Sequence, residues 1–152
     1  MDALAAHAVS PAGGIIRAAR RPANFQVLGP PPRPPEDPAA LAPLWPREHE
    51  DLCWLAGNWR ILQRTDGHRF SLDDLVTAYT AAELLAATPP ARYLDLGCGI
   101  GSVLLFIAWR FPQAQVIGVE AQPLSADLAR RSIAWNGAAP RCQVRDGDFR
   151  DG

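Results

Sequence analysis

Asp95-Leu96-Gly97-Cys98-Gly99-Ile100-Gly101 is the stretch that decides how this 152-residue chain is read. Gly97, Gly99 and Gly101 form a GxGxG turn. Before it lies Arg92-Tyr93-Leu94-Asp95-Leu96, short and mostly apolar, which predicts a strand. After it, Ser102 to Phe111 is apolar nearly all round, as a helix packed against a sheet should be, and Pro112 stops it. Residues without Cβ atoms let the backbone turn sharply between strand and helix and let a ligand touch the main chain.

Working outward, the same alternation repeats. Gln115-Val116-Ile117-Gly118-Val119 reads as a second strand, and Glu120 ends it. Pro123 suits a helix start, Leu124, Leu128, Ser132 and Trp135 mark one face, and Asn136-Gly137 closes the helix. Cys142-Gln143-Val144-Arg145 begins a third strand. Strand and helix alternating at this spacing imply an α/β domain, a Rossmann-like doubly wound parallel sheet. Upstream, Trp59 to Arg64 alternates as a short strand with Trp59 and Ile61 on one face, and Thr65-Asp66-Gly67-His68 supplies a turn. Ser71 can cap a helix whose first turn holds Asp73 and Asp74. Leu72, Leu75, Val76, Tyr79 and Ala82 then predict one buried stripe, and Thr88-Pro89-Pro90 ends the helix.

Glu120 lies about twenty residues beyond the glycines, where a carboxylate accepts hydrogen bonds from ribose hydroxyls in dinucleotide folds. The dinucleotide fingerprint, however, is GxGxxG, with its third glycine inside the helix and pyrophosphate at the helix N-terminus. Here Asp95 precedes GxGxG and Val103 stands in the following helix. Asp-Leu-Gly-Cys-Gly-Ile-Gly resembles the first motif of S-adenosylmethionine-dependent methyltransferases, whose cofactor carries a sulfonium and an amino acid in place of the pyrophosphate. The resemblance implies S-adenosylmethionine as cofactor, met by Asp95, Gly97, Cys98, Gly99, Gly101 and Glu120. It also implies that Asp148, in Gly147-Asp148-Phe149, contacts the adenine amine while Phe149 flanks the ring, with Asp146 a rival for Asp148.

A narrower resemblance covers roughly residues 50 to 150. Ile61-Leu-Gln-Arg, Arg69-Phe-Ser-Leu-Asp-Asp-Leu-Val, the glycine motif, Gly118-Val-Glu and Arg131-Ser-Ile-Ala-Trp-Asn136 are similar in order and spacing to a bacterial-type group. That group methylates the exocyclic amine of an adenine beside the anticodon of valine tRNA. It implies tRNA as partner and places Phe70, Ser71 and Asp73 near the cofactor's methionine end. The chain departs from it in one respect: the group's catalytic Asn-Pro-Pro-Tyr follows the fourth strand, and no Asn-Pro-Pro occurs here. No catalytic residue is therefore assigned. The expectation is the N-terminal half of a methyltransferase domain, truncated after the third strand, with an open sheet edge that a partner chain could cover. Protein glutamine and ribosomal RNA methyltransferases share this upstream organisation, and a non-catalytic binding module is the alternative from another class.

Composition narrows the remaining classes. Net charge is −1, so no global cationic field draws the chain to nucleic acid or membrane, and a nucleic-acid partner needs a local patch. Arg60, Arg64, His68 and Arg69 form such a candidate cluster, or else a solvated strand edge. No apolar run reaches the roughly 18 residues of a membrane span, so no membrane association is expected. Cys53, Cys98 and Cys142 lie far apart with no CxxC pair, which supports neither a disulfide framework nor a metal site. Through Pro46 the chain holds ten of its fifteen prolines, including Pro30-Pro31-Pro32-Arg33-Pro34-Pro35. Residues 1–45 are thus expected to be a disordered, extended arm dispensable for folding, with the domain in residues 46–152. Residues 1–24 are Ala-rich and carry Arg17, Arg20 and Arg21 against the single acid Asp2. The location expected is cytoplasmic, or mitochondrial or plastid if that segment is a transit peptide.

Overall fold

The computed structural model describes residues 7–18, 21–22, 24–148 and 150. Its centre is the parallel three-stranded sheet expected from the strand–helix repeats: β5 (Arg92–Leu96), β6 (Gln115–Glu120) and β7 (Cys142–Asp146), side by side in that order. The register aligns Asp95 with Gly118 and Glu120 with Asp146, so the ends of β6 and β7 finish at the same level. Connecting helices are α3 (Ser102–Arg110) and α4 (Pro123–Trp135). In α3 the all-round apolar sequence is realised as burial: Leu104, Leu105, Ile107 and Ala108 have no exposed surface. Each large side chain so buried contributes about 1.5–3 kcal/mol.

Along β6, Val116, Gly118 and Glu120 face this core, while the neighbouring positions turn the other way. On that second face Leu94 and Leu96 of β5 are 57% and 55% exposed. Parallel sheets are ordinarily covered on both sides. Among the described residues this face carries no such cover. The helix α2 (Leu72–Leu85), expected to bury a five-residue stripe, packs on α3 and buries only Ala82 of that stripe, with Leu75 half-buried. Ala78 and Ala82 are buried, whereas Leu72, Val76 and Tyr79 are 73%, 55% and 60% exposed. The periodicity is real, but small residues line the contact with α3, and the larger ones point outward. Leu124 departs from its expected buried face in the same way, at 50% exposed, whereas Leu128 and Ser132 of that face are buried.

A second sheet, in which β1 (Ala8–Val9) and β2 (Ile15–Ile16) join β3 (Glu50–Trp54) and β4 (Arg60–Arg64), stands beside the first. Its core is the hairpin of β3 and β4, only the latter visible in the sequence pattern. The hairpin is bolted to α4 by buried polar groups. Ser132 Oγ accepts from Leu62 N at 2.8 Å, and the Asn136 amide exchanges hydrogen bonds with the Arg60 backbone at 2.9 and 2.7 Å. Arg131 forms a bidentate pair with Glu50 at 3.0 and 2.9 Å and also donates to the carbonyls of Pro43 and Trp45. Burial pushes the Glu50 carboxyl up, but the Arg131 hydrogen bond and the Arg47 N–H outweigh it and hold it below the usual range.

The proline-rich arm is not the detached tail expected from its composition. β1 (Ala8–Val9) and β2 (Ile15–Ile16) pair antiparallel, and β2 runs parallel to Asp51–Leu52 of β3. Arg17 then reaches the buried Asp51 at 2.6 Å, and Arg33 N donates to Asn136 O at 3.2 Å. The cause is local: Ser10 to Gly14 makes a tight turn that presents Ile15-Ile16, a two-residue strand too short to leave a period. The run from Pro30 to Pro35 itself carries no helix or strand, as proline requires. A short helix, α1 (Pro38–Leu41), capped by Asp37, and a 3₁₀ turn at Ala42–Leu44 lead into the hairpin. The transit-segment expectation falls partly on residues 1–6, 19–20 and 23, outside the described residues; of the rest, Ala8–Val9 and Ile15–Ile16 pair in a sheet.

Deletion of residues 1–45 is therefore expected to lower the melting temperature by roughly 10 °C or more, because it strips a strand from β3 and a guanidinium from a buried carboxylate. An unchanged melting curve by circular dichroism would return the arm to the status of a tether.

Candidate functional site

The glycine turn is built from backbone conformations that L side chains rarely adopt. Gly97, Gly99 and Gly101 have φ of 73°, 56° and 84°. They are held by the end of β6. Gly97 N and Cys98 N both donate to Val119 O, at 2.8 and 3.0 Å, and Gly101 N donates to Cys98 O at 2.9 Å. Glu120, 7% exposed, accepts from Gly99 N through one carboxylate oxygen and from Gln122 N through the other, both at 2.8 Å. The carboxylate thus fixes the turn and the entry to α4 together.

The three glycines are needed for different reasons. A Cβ on Gly101 would lie 3.1 Å from the Ala129 Cβ, so this residue lets α3 and α4 approach. A Cβ on Gly99 would meet nothing within 4 Å. That backbone borders open space, the cradle a ligand lying on the main chain would fill. A fourth glycine escaped the sequence pattern. A Cβ on Gly118 would sit 2.6 Å from Cys98 Sγ, so the strand must be bare where the turn's thiol packs against it. Burial pushes the Cys98 thiol up to about 12, which makes it packing rather than a nucleophile.

Beyond the turn, Gly97, Glu120, Ala121, Gly147, Asp148 and Arg150 line a cleft of about 240 Å³ at the C-terminal ends of the parallel strands, where ligands of open α/β sheets bind. Two carboxylates, Glu120 and Asp148, converge there. Asp148 is gripped by Arg150, whose Nε lies 2.8 and 2.9 Å from its two oxygens, and this contact holds its carboxyl below the usual range. The rival Asp146 turns away, paired with Arg130 at 2.8 Å and 71% exposed. Phe149 lies outside the described residues.

Asp95 has a different environment. Its Oδ2 is buried and has no hydrogen-bond partner. Burial raises its pKa above the ordinary value, a backbone hydrogen bond at Leu104 acts against this, and the charge of Asp74 adds to the rise. An orphaned carboxylate oxygen that also feels a second negative charge suits a cationic group. Asp74 supplies that charge while closing a capping box with Ser71; Asp73, the contact the resemblance implies, is exposed. Three arginines of the basic cluster expected as a phosphate site, or else a solvated strand edge, find partners within the protein, and its fourth member, His68, is exposed. Arg60 stacks 3.5 Å from the Trp54 ring centroid and donates to the Arg17 and Leu52 carbonyls, and burial lowers its pKa to about 10. Arg64 pairs with Asp66 and Arg69 with Asp51. No cluster of metal-ligating side chains exists among the described residues. No helix among them is long and apolar enough to cross a membrane.

A three-stranded parallel sheet, a left-handed glycine turn after its first strand and an acid closing the second define a Rossmann-like α/β fold. Residues 94–152 match the family model described as a methyltransferase domain. Over 83 residues the chain is 36% identical to a tRNA1(Val) (adenine(37)-N6)-methyltransferase of Porphyromonas gingivalis, covering 55% of this chain and 32% of that protein. Over 119 residues it is 33% identical to the 23S rRNA (uracil(1939)-C(5))-methyltransferase RlmD of Acidithiobacillus ferrooxidans, covering 76% of this chain and 27% of that one. Among solved structures, Pyrococcus horikoshii TYW2 in complex with MeSAdo shares the fold, with a TM-score of 0.58, 23% identity, and coverage of 68% of this chain and 38% of that one. The stretch from Leu94 onward is thus similar to a methyltransferase domain, and its fold is Rossmann-like. The chain spans about a third of the length of the first curated relatives it matches.

A raised Asp95 pKa has a stability consequence with a definite sign. The folded state binds this proton more tightly than the unfolded chain, whose Asp titrates near about 3.9, so stability falls as pH rises from there through the folded pKa. Asp95→Asn should therefore raise the ligand-free melting temperature at pH 7, and the gain should vanish below about pH 4. A variant less stable than wild type at pH 7 would show that the carboxylate is already satisfied.

Proposed function

We propose that the protein is an S-adenosylmethionine-dependent methyltransferase acting on the exocyclic amine of an adenine in tRNA. The observation that carries the cofactor half is the Gly97–Gly101 turn locked to Glu120 at the mouth of a cleft that also holds Asp148. When bound, S-adenosylmethionine supplies a methyl group on a positively charged sulfur. The residues would divide the work by chemistry. Glu120 accepts from the ribose hydroxyls, and Asp148, once released from Arg150, accepts from the adenine amine. The backbone at Gly97 and Gly99 lies along the cofactor. Asp95 and Asp74 face its cationic amino-acid end, with Asp73 at the approach. Phe149 would flank the adenine. Binding thus orients the methyl outward for in-line attack by the amine, with positioning as the principal catalytic device.

The tRNA substrate rests on the likeness to the valine tRNA methyltransferases, 36% identical over 83 residues. Ribosomal RNA is the second reading, favoured by the longer alignment with RlmD. Either way, no free cationic patch formed by Arg60, Arg64 and Arg69 is available for RNA phosphates, since each is committed within the protein.

Glu120→Ala should weaken S-adenosylmethionine binding about 10- to 100-fold by calorimetry, the range of a lost charge-assisted hydrogen bond. Because Glu120 also holds the turn, the variant's melting temperature is read alongside. Unchanged affinity in a folded variant would remove Glu120 from the ribose site. Transfer of labelled methyl by the whole protein to unmodified valine tRNA, but not to ribosomal RNA, is the expected substrate result; the reverse preference would favour the second reading.

A further inference from the structure

We propose that Asp51 is a positioning residue for the cofactor pocket: from inside the hairpin sheet it fixes, through Arg69, the Arg69–Ser71 segment that starts α2. The inference rests on the functional reading above and adds to it a residue outside the pocket, together with a link from the N-terminal arm to that pocket.

Asp51 has no exposed surface, and its charge arrangement is lopsided. Its Oδ2 accepts from Arg17 at 2.6 Å and from Arg69 Nη1 at 3.0 Å, while Oδ1 is buried with no partner. A buried carboxylate costs several kcal/mol of desolvation, and an apolar side chain would stabilise a hairpin interior at least as well. Stability alone therefore does not account for a charge at this point. Its register neighbour across the hairpin, Gln63, is 1% exposed and accepts from Phe70 N at 3.2 Å through Oε1. Two buried polar side chains, facing one another on β3 and β4, thus hold two consecutive residues of one connecting segment.

That segment sets the start of α2. Ser71 follows directly, and its N–H donates to Asp74 Oδ2 at 2.7 Å. Phe70 packs against the core cluster that contains Cys98 and Ile100 of the glycine turn, and α2 lies on α3. Asp74 is the group whose charge reaches Asp95. A shift of Arg69 and Phe70 therefore moves Asp74 relative to Asp95 of β5, while Glu120, at the end of β6, and Asp148, after β7, stay put. Arg17 shares the same Asp51 oxygen, so the arm is the second anchor of this relay.

The test compares two probes that differ only in the part of the cofactor concerned. S-Adenosylhomocysteine carries the amino-acid tail, whereas 5′-methylthioadenosine lacks it. The chain and its variants Arg69→Gln, Asp51→Asn and Arg17→Gln are titrated with each by calorimetry, with melting temperatures measured in parallel. Arg69→Gln and Asp51→Asn should weaken S-adenosylhomocysteine about tenfold and leave 5′-methylthioadenosine within about twofold, with a smaller effect for Arg17→Gln. If Asp51→Asn does not fold, the half-exposed Arg69 carries the test by itself. Equal losses for both probes, or no loss for either, overturn the positioning role while leaving the functional reading intact. Failure of the unaltered chain to bind either probe removes the functional reading and this proposal with it.

Discussion

The contact on which the rest depends is the hydrogen bond from Gly99 N to the Glu120 carboxylate, backed by the paired donation of Gly97 and Cys98 to Val119 O. Three left-handed residues within five positions form a turn that the chain would not hold unaided. The end of β6 supplies the missing restraint, because the parallel register brings Glu120 level with the turn that leaves β5. The same carboxylate accepts from Gln122 N and so sets the entry to α4. One acid joins strand, turn and helix, and the cleft beside it follows from that junction.

A second constraint couples the parallel sheet and its helices to the hairpin. Arg131 leaves α4 fully buried and is tolerated because Glu50 and two carbonyls take up its donors. With Ser132 and Asn136 on the same helix bonded to β4, three of α4's last residues or cap positions face the hairpin. The arm closes over this junction through β2 and Arg17, so the sheet that carries no glycine motif is still mechanically tied to the segment leading into α2.

Much of this was legible in the sequence, for physical reasons that differ by element. β5, α3, β6 and α4 were visible because glycine and proline punctuate them and because α3 is apolar all round. β3 was hidden, since Glu50, Asp51 and Leu52 carry two buried acids where a strand pattern would call for apolar residues. Their partners, Arg131 and Arg17, lie 81 and 34 residues away, and no local signal reveals them. Proline content concealed β1 and β2 in the same way, by outweighing Ile15-Ile16. In the site, Glu120 and the glycines fell where the spacing put them. That the charge felt at Asp95 is that of Asp74, one residue beyond Asp73, turns on a rotation of about 100° along α2 that the charge pattern alone does not encode.

The central claim, that cofactor lies on the Gly97–Gly101 backbone against Glu120, is tested most directly by titrating isotopically labelled protein with S-adenosylhomocysteine and following backbone amide resonances. The account predicts large shifts at Gly97, Gly99, Ala121 and Asp148, with Arg60 and Arg64 of the hairpin unmoved. Shifts centred on the hairpin, with the glycine amides unchanged at saturation, would contradict it.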